Sequence, residues 1–313
     1  MKRHTIANRV YSLILLLSMA SYMALLGWLF AGLDGLIALS LSCLLIVTLN
    51  PTLSPHWLMS LYGAIPITPD RAPELYQLLL HIAQRSNLKT LPVLYRVPSS
   101  TLNAFTTGSQ NHAAIAITDG LFGQLSLREL AGVLAHEAGH IRNNDIWIMG
   151  LADLFSRGTS LLSLFGQLVL LVNLPFVLLT EARFNWPLVL LMVFAPYISA
   201  LTQLALSRTR EFDADLCAAE VTGDPRGLAS ALTKIEHAQY SLWERIFFPG
   251  GRDSAPSLLR THPPTEERVK RLLKLETDQS FQAMAYPELI DYRARLGNRV
   301  IKHPRRHISG LWF

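Results

Sequence analysis

Leu125-Ser126-Leu127-Arg128-Glu129-Leu130-Ala131-Gly132-Val133-Leu134-Ala135-His136-Glu137-Ala138-Gly139-His140 is the stretch that decides how this chain is read. Its last five residues fit H-E-x-x-H. Residues i and i+4 of a helix share one face, so both imidazoles reach a single metal, and the Glu between them lies where it can accept a proton from a water. The helix is signalled at its start. Ser126-x-x-Glu129 is a capping box, and Leu125 and Leu130 are spaced as a hydrophobic staple. Leu130, Val133 and Leu134 supply a face that buries the helix. The surroundings of the histidines, Val133-Leu134-Ala135 and Ala138, are too apolar for a solvated face. The histidines therefore sit on a packed, rigid element, which a metal site needs.

A zinc site of this kind takes a third protein ligand and keeps one position open for water. Farther along, Glu211-Phe212-Asp213-Ala214-Asp215 carries Glu211 and Asp215 at i and i+4, on one helix face. Alone, this pair reads as surface acids neutralised by Arg208 and Arg210. Beside an H-E-x-x-H helix that still lacks a ligand, Glu211 reads as the third ligand of one Zn2+ per chain. Asp215 then holds the far nitrogen of a ligand histidine. Asp213 lies off that face and reads as structural.

The rest of the chain places this site at a membrane. Of 313 residues, 50% are hydrophobic and only 16% charged, which suits a polytopic membrane protein with a sizeable water-facing part. The net charge of +5 comes without a dense Lys/Arg run interleaved with aromatics, which argues against nucleic acid as a partner and for a lipid surface. Apolar runs cover 10–32, 35–49, 161–179 and 187–206, with a tight turn expected at Asp34-Gly35. The second run is short for a span of the bilayer. Lys2, Arg3 and Arg9 precede the first hairpin, and Arg157, Arg208 and Arg210 flank the second on the same side. The positive-inside rule then puts both termini and the polar segments in the cytoplasm. Cys43 and Cys217 lie far apart in unlike surroundings, and no disulfide is expected.

These boundaries predict a transmembrane hairpin over 1–50, a first catalytic part over 51–157, a second transmembrane hairpin over 158–206 and a second catalytic part over 207–313. The fold class is a mainly α membrane protein with four transmembrane helices and a cytoplasmic metalloprotease domain carrying a small β-sheet. A helix is expected over 73–86 and strands over 92–97, 102–107 and 113–118. Ile301 to Phe313 is basic and aromatic without periodicity.

Four motifs in order resemble the HtpX family of membrane zinc metalloproteases, which is related to the CAAX prenyl endopeptidases and belongs to the gluzincins. They are Asn103-Ala104-Phe105-Thr106-Thr107-Gly108, the H-E-x-x-H segment, Ser207-Arg208-Thr209-Arg210-Glu211-Phe212-Asp213-Ala214-Asp215, and Thr261-His262-Pro263-Pro264-Thr265-Glu266-Glu267-Arg268. The likeness covers about 70–275; the tail beyond it has no counterpart. It implies that Asn103, with Ala104 and Phe105, holds substrate backbone beside the cleft, the alternative for Asn103 being a plain turn residue. It implies that His262, on a loop stiffened by two prolines, donates to the developing oxyanion, or else is a buried structural histidine. Arg268 is expected to pair with an acidic group and lock that loop, and Asp145 to support the site from behind or contact a helix end. The strand 113–118 is a candidate for pairing with an extended peptide.

The function expected is that of a membrane-anchored zinc endopeptidase acting on peptide bonds at the cytoplasmic face, with Glu137 as general base. The resemblance implies quality control of misfolded membrane proteins in the bacterial inner membrane. Rival readings are an inactive metal-binding scaffold, a prenyl-protein endopeptidase and a zinc hydrolase of another bond.

Overall fold

The computed structural model describes residues 2–49, 55–179, 186–247 and 264–278. Residues 50–54, His262 and the tail from 279 onward lie outside the described residues. The chain divides into two compact units, Met1–Pro51 with Trp147–Thr209, and Thr52–Ile146 with Arg210–Phe313.

In the first unit, helix α1 (Lys2–Leu49) leaves helical geometry at Ala31 and at Gly32, whose φ is 62°. That left-handed conformation suits glycine, which has no Cβ to clash. The turn thus lies at Ala31-Gly32 and not at Asp34-Gly35. Gly35 has a different use. A Cβ built on Gly27 would stand 2.5 Å from the Gly35 carbonyl oxygen. Eight residues of straight helix would separate the two by about 12 Å, so the chain reverses here and two helical segments meet backbone to backbone. Leu15, Met19 and Met23 from one segment share an apolar cluster with Leu39, Cys43 and Val47 from the other.

Helices α6 (Asp145–Leu179) and α7 (Trp186–Thr222) form the rest of this unit and continue beyond it. Pro196 has no N–H to give the Met192 carbonyl four residues back. Ser163 on α6 donates its hydroxyl to that carbonyl, and Gln167 Nε2 donates to Ser163 Oγ at 3.0 Å. An apolar surround makes such repair obligatory. The outward faces are unlike those of a water-soluble protein: Leu161 is 68% exposed, Phe165 61% and Val172 78%. Three helices, covering Asn8–Leu45, Asp145–Pro175 and Val189–Thr222, are long and apolar enough to cross a membrane.

The second unit holds α2 (Pro55–Leu61), β1 (Ile65–Pro66), α3 (Pro73–Arg85), β2 (Val93–Val97), β3 (Ala104–Ser109), β4 (His112–Thr118), α4 (Asp119–Gln124), α5 (Leu127–Asn143), α8 (Pro225–Phe247) and α9 (Thr265–Asp278). It also takes in the end of α7 from Arg210 onward. The sheet order is β1-β2-β4-β3, with β2 and β4 parallel and the outer pairs antiparallel. Strand alternation sends Ile115 and Ile117 into the main core with α3 and α5, and Ala114 and Ala116 to the opposite face with Met59 of α2. β4 is paired on both sides, so it cannot accept a peptide strand as expected from the sequence. Its neighbour β3 is the edge strand on that side.

Helix α5 is placed by its cap and its buried flanks. Ser126 and Glu129 make the reciprocal capping bonds, and Leu125 and Leu130 are fully buried. The Glu129 carboxylate also accepts from Ser230 at 2.6 Å and Lys234 at 2.7 Å, tying α8 to α5. Burial pushes the Glu129 carboxyl up, but the bonds from Lys234, Ser230 and Ser126 outweigh it and hold the group at about 2.

Gly132 is a point of close backbone approach between α5 and α8. A Cβ there would lie 2.8 Å from the Leu228 backbone nitrogen and 2.9 Å from its Cα. Backbone cannot swing aside, so Gly132→Ala forces the helices apart. Overpacking of about 1–3 kcal/mol outweighs the gain of about 1 kcal/mol in helix propensity. A thermal melt at fixed scan rate is expected to fall by several degrees. Gly150→Ala, where nothing lies within 4 Å of the new Cβ, is expected to leave the midpoint unchanged or raise it. An equal or higher midpoint for Gly132→Ala would refute the tight-contact argument.

Candidate active site

His136 and His140 lie one turn apart on α5, and their Nε2 atoms converge to 3.1 Å. Glu211, on the continuous helix α7, brings Oε2 to 3.4 Å from His136 Nε2 and Oε1 to 3.9 Å from His140 Nε2. The three residues offer ligand atoms all within 4.8 Å of one another. Two nitrogens bound tetrahedrally at about 2.0–2.1 Å from zinc stand roughly 3.3 Å apart, so the spacing fits that ion.

Each histidine is held from behind. His140 Nδ1 lies 2.9 Å from Asp145 Oδ2, and His136 Nδ1 lies 3.0 Å from Asp215 Oδ1. A carboxylate at Nδ1 keeps the proton there and leaves Nε2 free to coordinate. Asp145 is in turn held by Arg210 at 3.2 Å, which also lies 3.6 Å from Asp213. Arg268, from α9, binds Asp215 through two bonds of 2.8 and 2.6 Å and reaches Glu211 Oε2 at 3.0 Å. Sequence reading placed an acidic partner beside Arg268; only the fold supplies which carboxylates these are.

The electrostatics call for a cation. Glu137, Asp145, Glu211, Asp213 and Asp215 are all buried, against the buried guanidiniums of Arg210 and Arg268. A divalent ion offsets most of the remaining negative charge. Among protein groups alone, burial pushes the His136 imidazole down, yet Asp215 and Glu211 outweigh it and raise it to about 10. Burial likewise opposes the Asp215 charge, and Arg268 with His136 reverses that and holds its carboxyl below the usual range. The donor set, its spacing and its charge all fit Zn2+.

Glu137, between the two histidines on α5, accepts from Thr106 Oγ1 on β3 at 2.6 Å. Thr106 was not singled out from the sequence beyond its place in the Asn103–Gly108 segment. The only signal available was its position three residues after Asn103. Asn103 itself precedes β3 and is exposed. Its backbone is tied to the end of β4, with its N–H donating to Thr118 Oγ1 at 3.0 Å and its carbonyl accepting from the Thr118 N–H at 3.1 Å. Ala104 and Phe105 follow within β3, and the Phe105 ring packs against Tyr62 with centroids 4.8 Å apart.

Two helix-borne histidines, a carboxylate ligand from a second helix and a carboxylate between the histidines define a zinc metallopeptidase, here on a chain with membrane-spanning helices. The chain belongs to peptidase family M48, whose profile matches residues 69–276. It is 41% identical to a "Protease HtpX homolog" of Acaryochloris marina over 70% of this chain and 77% of that protein. A homolog of the same name from Sulfurihydrogenibium sp. is 32% identical over 86% of this chain and 96% of its own length. The crystal structure of S. mikatae Ste24p superposes with a TM-score of 0.48 at 19% identity, over 87% of this chain and 66% of that one.

Proposed function

We propose that this zinc peptidase is an endopeptidase cutting extended segments of membrane proteins at the cytoplasmic face of a bacterial inner membrane, in the removal of misfolded chains. The observation that carries the cleavage reading is the buried Glu137 carboxylate beside the His136, His140 and Glu211 cluster, next to an edge strand. Zinc held there supplies Lewis acidity toward the scissile carbonyl and an acidified water. Glu137 takes the proton of the attacking water on its carboxylate and returns it to the leaving amine. Asp145 and Asp215 keep both imidazoles in the coordinating tautomer, and Arg268 fixes Asp215 and Glu211. His262 donates to the oxyanion.

The substrate adds to β3. Asn103 exchanges bonds with Thr118, so antiparallel alternation turns the backbone groups of Ala104 and Thr106 toward the open edge. A peptide pairing there is read through its backbone, with little demand on its side chains, as a quality-control substrate range requires.

We read the membrane part as four spans, α1 being a hairpin of two about Ala31-Gly32, with the hairpin boundaries at 1–50 and 158–206. The meeting of Gly27 with Gly35 supports the first hairpin, and the Lys2, Arg3, Arg9 and Arg157 distribution supports a cytoplasmic site.

Detergent-purified protein is expected to hold one zinc per chain and to cleave unfolded casein, to stop when a chelator strips the ion, and to recover on adding zinc back. Bound zinc with no cleavage would favour the inactive scaffold.

A further inference from the structure

We propose that Thr106 is a positioning residue for the reaction: it aims the general base and ties that base to the strand on which substrate pairs. This rests on the assignment of Glu137 as base. Among the described residues, Thr106 Oγ1 is the only hydrogen-bond donor to the Glu137 carboxylate, at 2.6 Å to Oε2. The carboxylate is buried, and a buried carboxylate with an unmet oxygen is costly and free to choose among rotamers. One short charge-assisted bond selects one rotamer, because it fixes which oxygen turns toward the strand. Oε2 is committed to Thr106; Oε1 is left for the water.

The second half of the argument is register. Thr106 pairs with Ile115 on β4, and Ile115 belongs to the main core. The Thr106 side chain therefore leaves the sheet on the α5 face, toward Glu137. Its neighbours in the strand, Phe105 and Thr107, point the other way. By the same alternation its backbone N–H and carbonyl face the open edge, where a peptide strand would bond. One residue thus touches the substrate's path with its backbone and the base with its side chain. A peptide paired at Thr106 is placed in fixed register with Glu137. Such coupling matters because a misplacement of about 1 Å at a reacting group is enough to lower rate by roughly a hundredfold.

A bland reading is available: threonine favours strands, and its hydroxyl merely satisfies a nearby carboxylate. The two readings separate on kinetics. Thr106→Val keeps shape and strand preference and removes only the hydroxyl. Thr106→Ser restores the hydroxyl and removes only the methyl. The measurements are kcat and KM on a quenched-fluorescence peptide, zinc content and melting temperature, all on full-length protein in detergent, with Glu137→Gln in parallel.

Expected for Thr106→Val is a kcat lower by about 10–100-fold, KM within about twofold, one zinc per chain and an unchanged melt. Thr106→Ser is expected to keep kcat within about threefold of the parent. The proposal is overturned if Thr106→Val keeps kcat within twofold, if its loss appears wholly in KM or zinc content, or if Thr106→Ser is as impaired as Thr106→Val. Glu137→Gln separates the failures. If that variant still turns over, the base assignment itself falls. If it is dead while Thr106→Val is fully active, only the role of Thr106 falls.

Discussion

Glu137→Gln is expected to keep its zinc and lose roughly 10²–10⁴-fold in kcat/KM, or about 3–5 kcal/mol of transition-state stabilisation. The change is one of chemistry and hardly of shape. Glutamine fills the same volume, and its carbonyl oxygen still accepts from Thr106 Oγ1, which in the parent lies 2.6 Å from Oε2. Glu137 is outside the His136, His140 and Glu211 cluster, so the ligand set is untouched. What disappears is the ability to take a proton. Metal analysis and casein cleavage on the same preparation check this: a variant that holds zinc and cleaves near the parental rate would remove Glu137 from the mechanism. A variant that loses zinc would show that the substitution disturbs the site more widely than the geometry allows.

Glu211→Ala is expected to act on the other side of the site, through the metal. Zinc bound by a full ligand set is worth about 10–16 kcal/mol, so one ligand in four accounts for roughly 3–4 kcal/mol, or about 10²–10³-fold in affinity. The loss is compounded by Arg268, which then faces the ligand histidines with one carboxylate fewer; in the parent it lies 3.0 Å from Glu211. Asp215→Asn is the comparison. It sits behind His136 at 3.0 Å, outside the coordinating cluster, and is expected to weaken zinc only about 10–100-fold. Competition against a chromophoric chelator ranks the two. Equal affinities for Glu211→Ala and the parent would mean that the third ligand lies elsewhere; a larger effect of Asp215→Asn would exchange the two roles.

Much of this site could be read before any fold was known, for a local reason. H-E-x-x-H works because four residues of helix bring two side chains together, and the capping box at Ser126 and Glu129 works over three. Both relations lie within one turn, and no other part of the chain is needed to establish them. The apolar runs are legible on the same ground, since their length is set by the bilayer. Pairing Glu211 with the histidines needed one further step. It required that a site short of a ligand find a carboxylate, and Glu211 with Asp215 at i and i+4 was the pair that offered both a ligand and a support.

What the tertiary structure alone decided is everything that depends on which elements become neighbours. The strand 113–118 was legible as a strand, but its position in the middle of the sheet depends on parallel pairing with β2 and antiparallel pairing with β3, and local pattern says nothing of order. The turn of α1 moved from Asp34-Gly35 to Ala31-Gly32 because two glycines were needed for close approach, and a third for the positive φ. Arg268 found Asp215 across 53 residues, and Thr106 found Glu137 across 31. The sequence reads Arg268 as the partner of some acidic group and Thr106 only as part of the Asn103–Gly108 segment. Their roles come from packing, where a buried charge must meet its partner, and packing is a property of the whole chain.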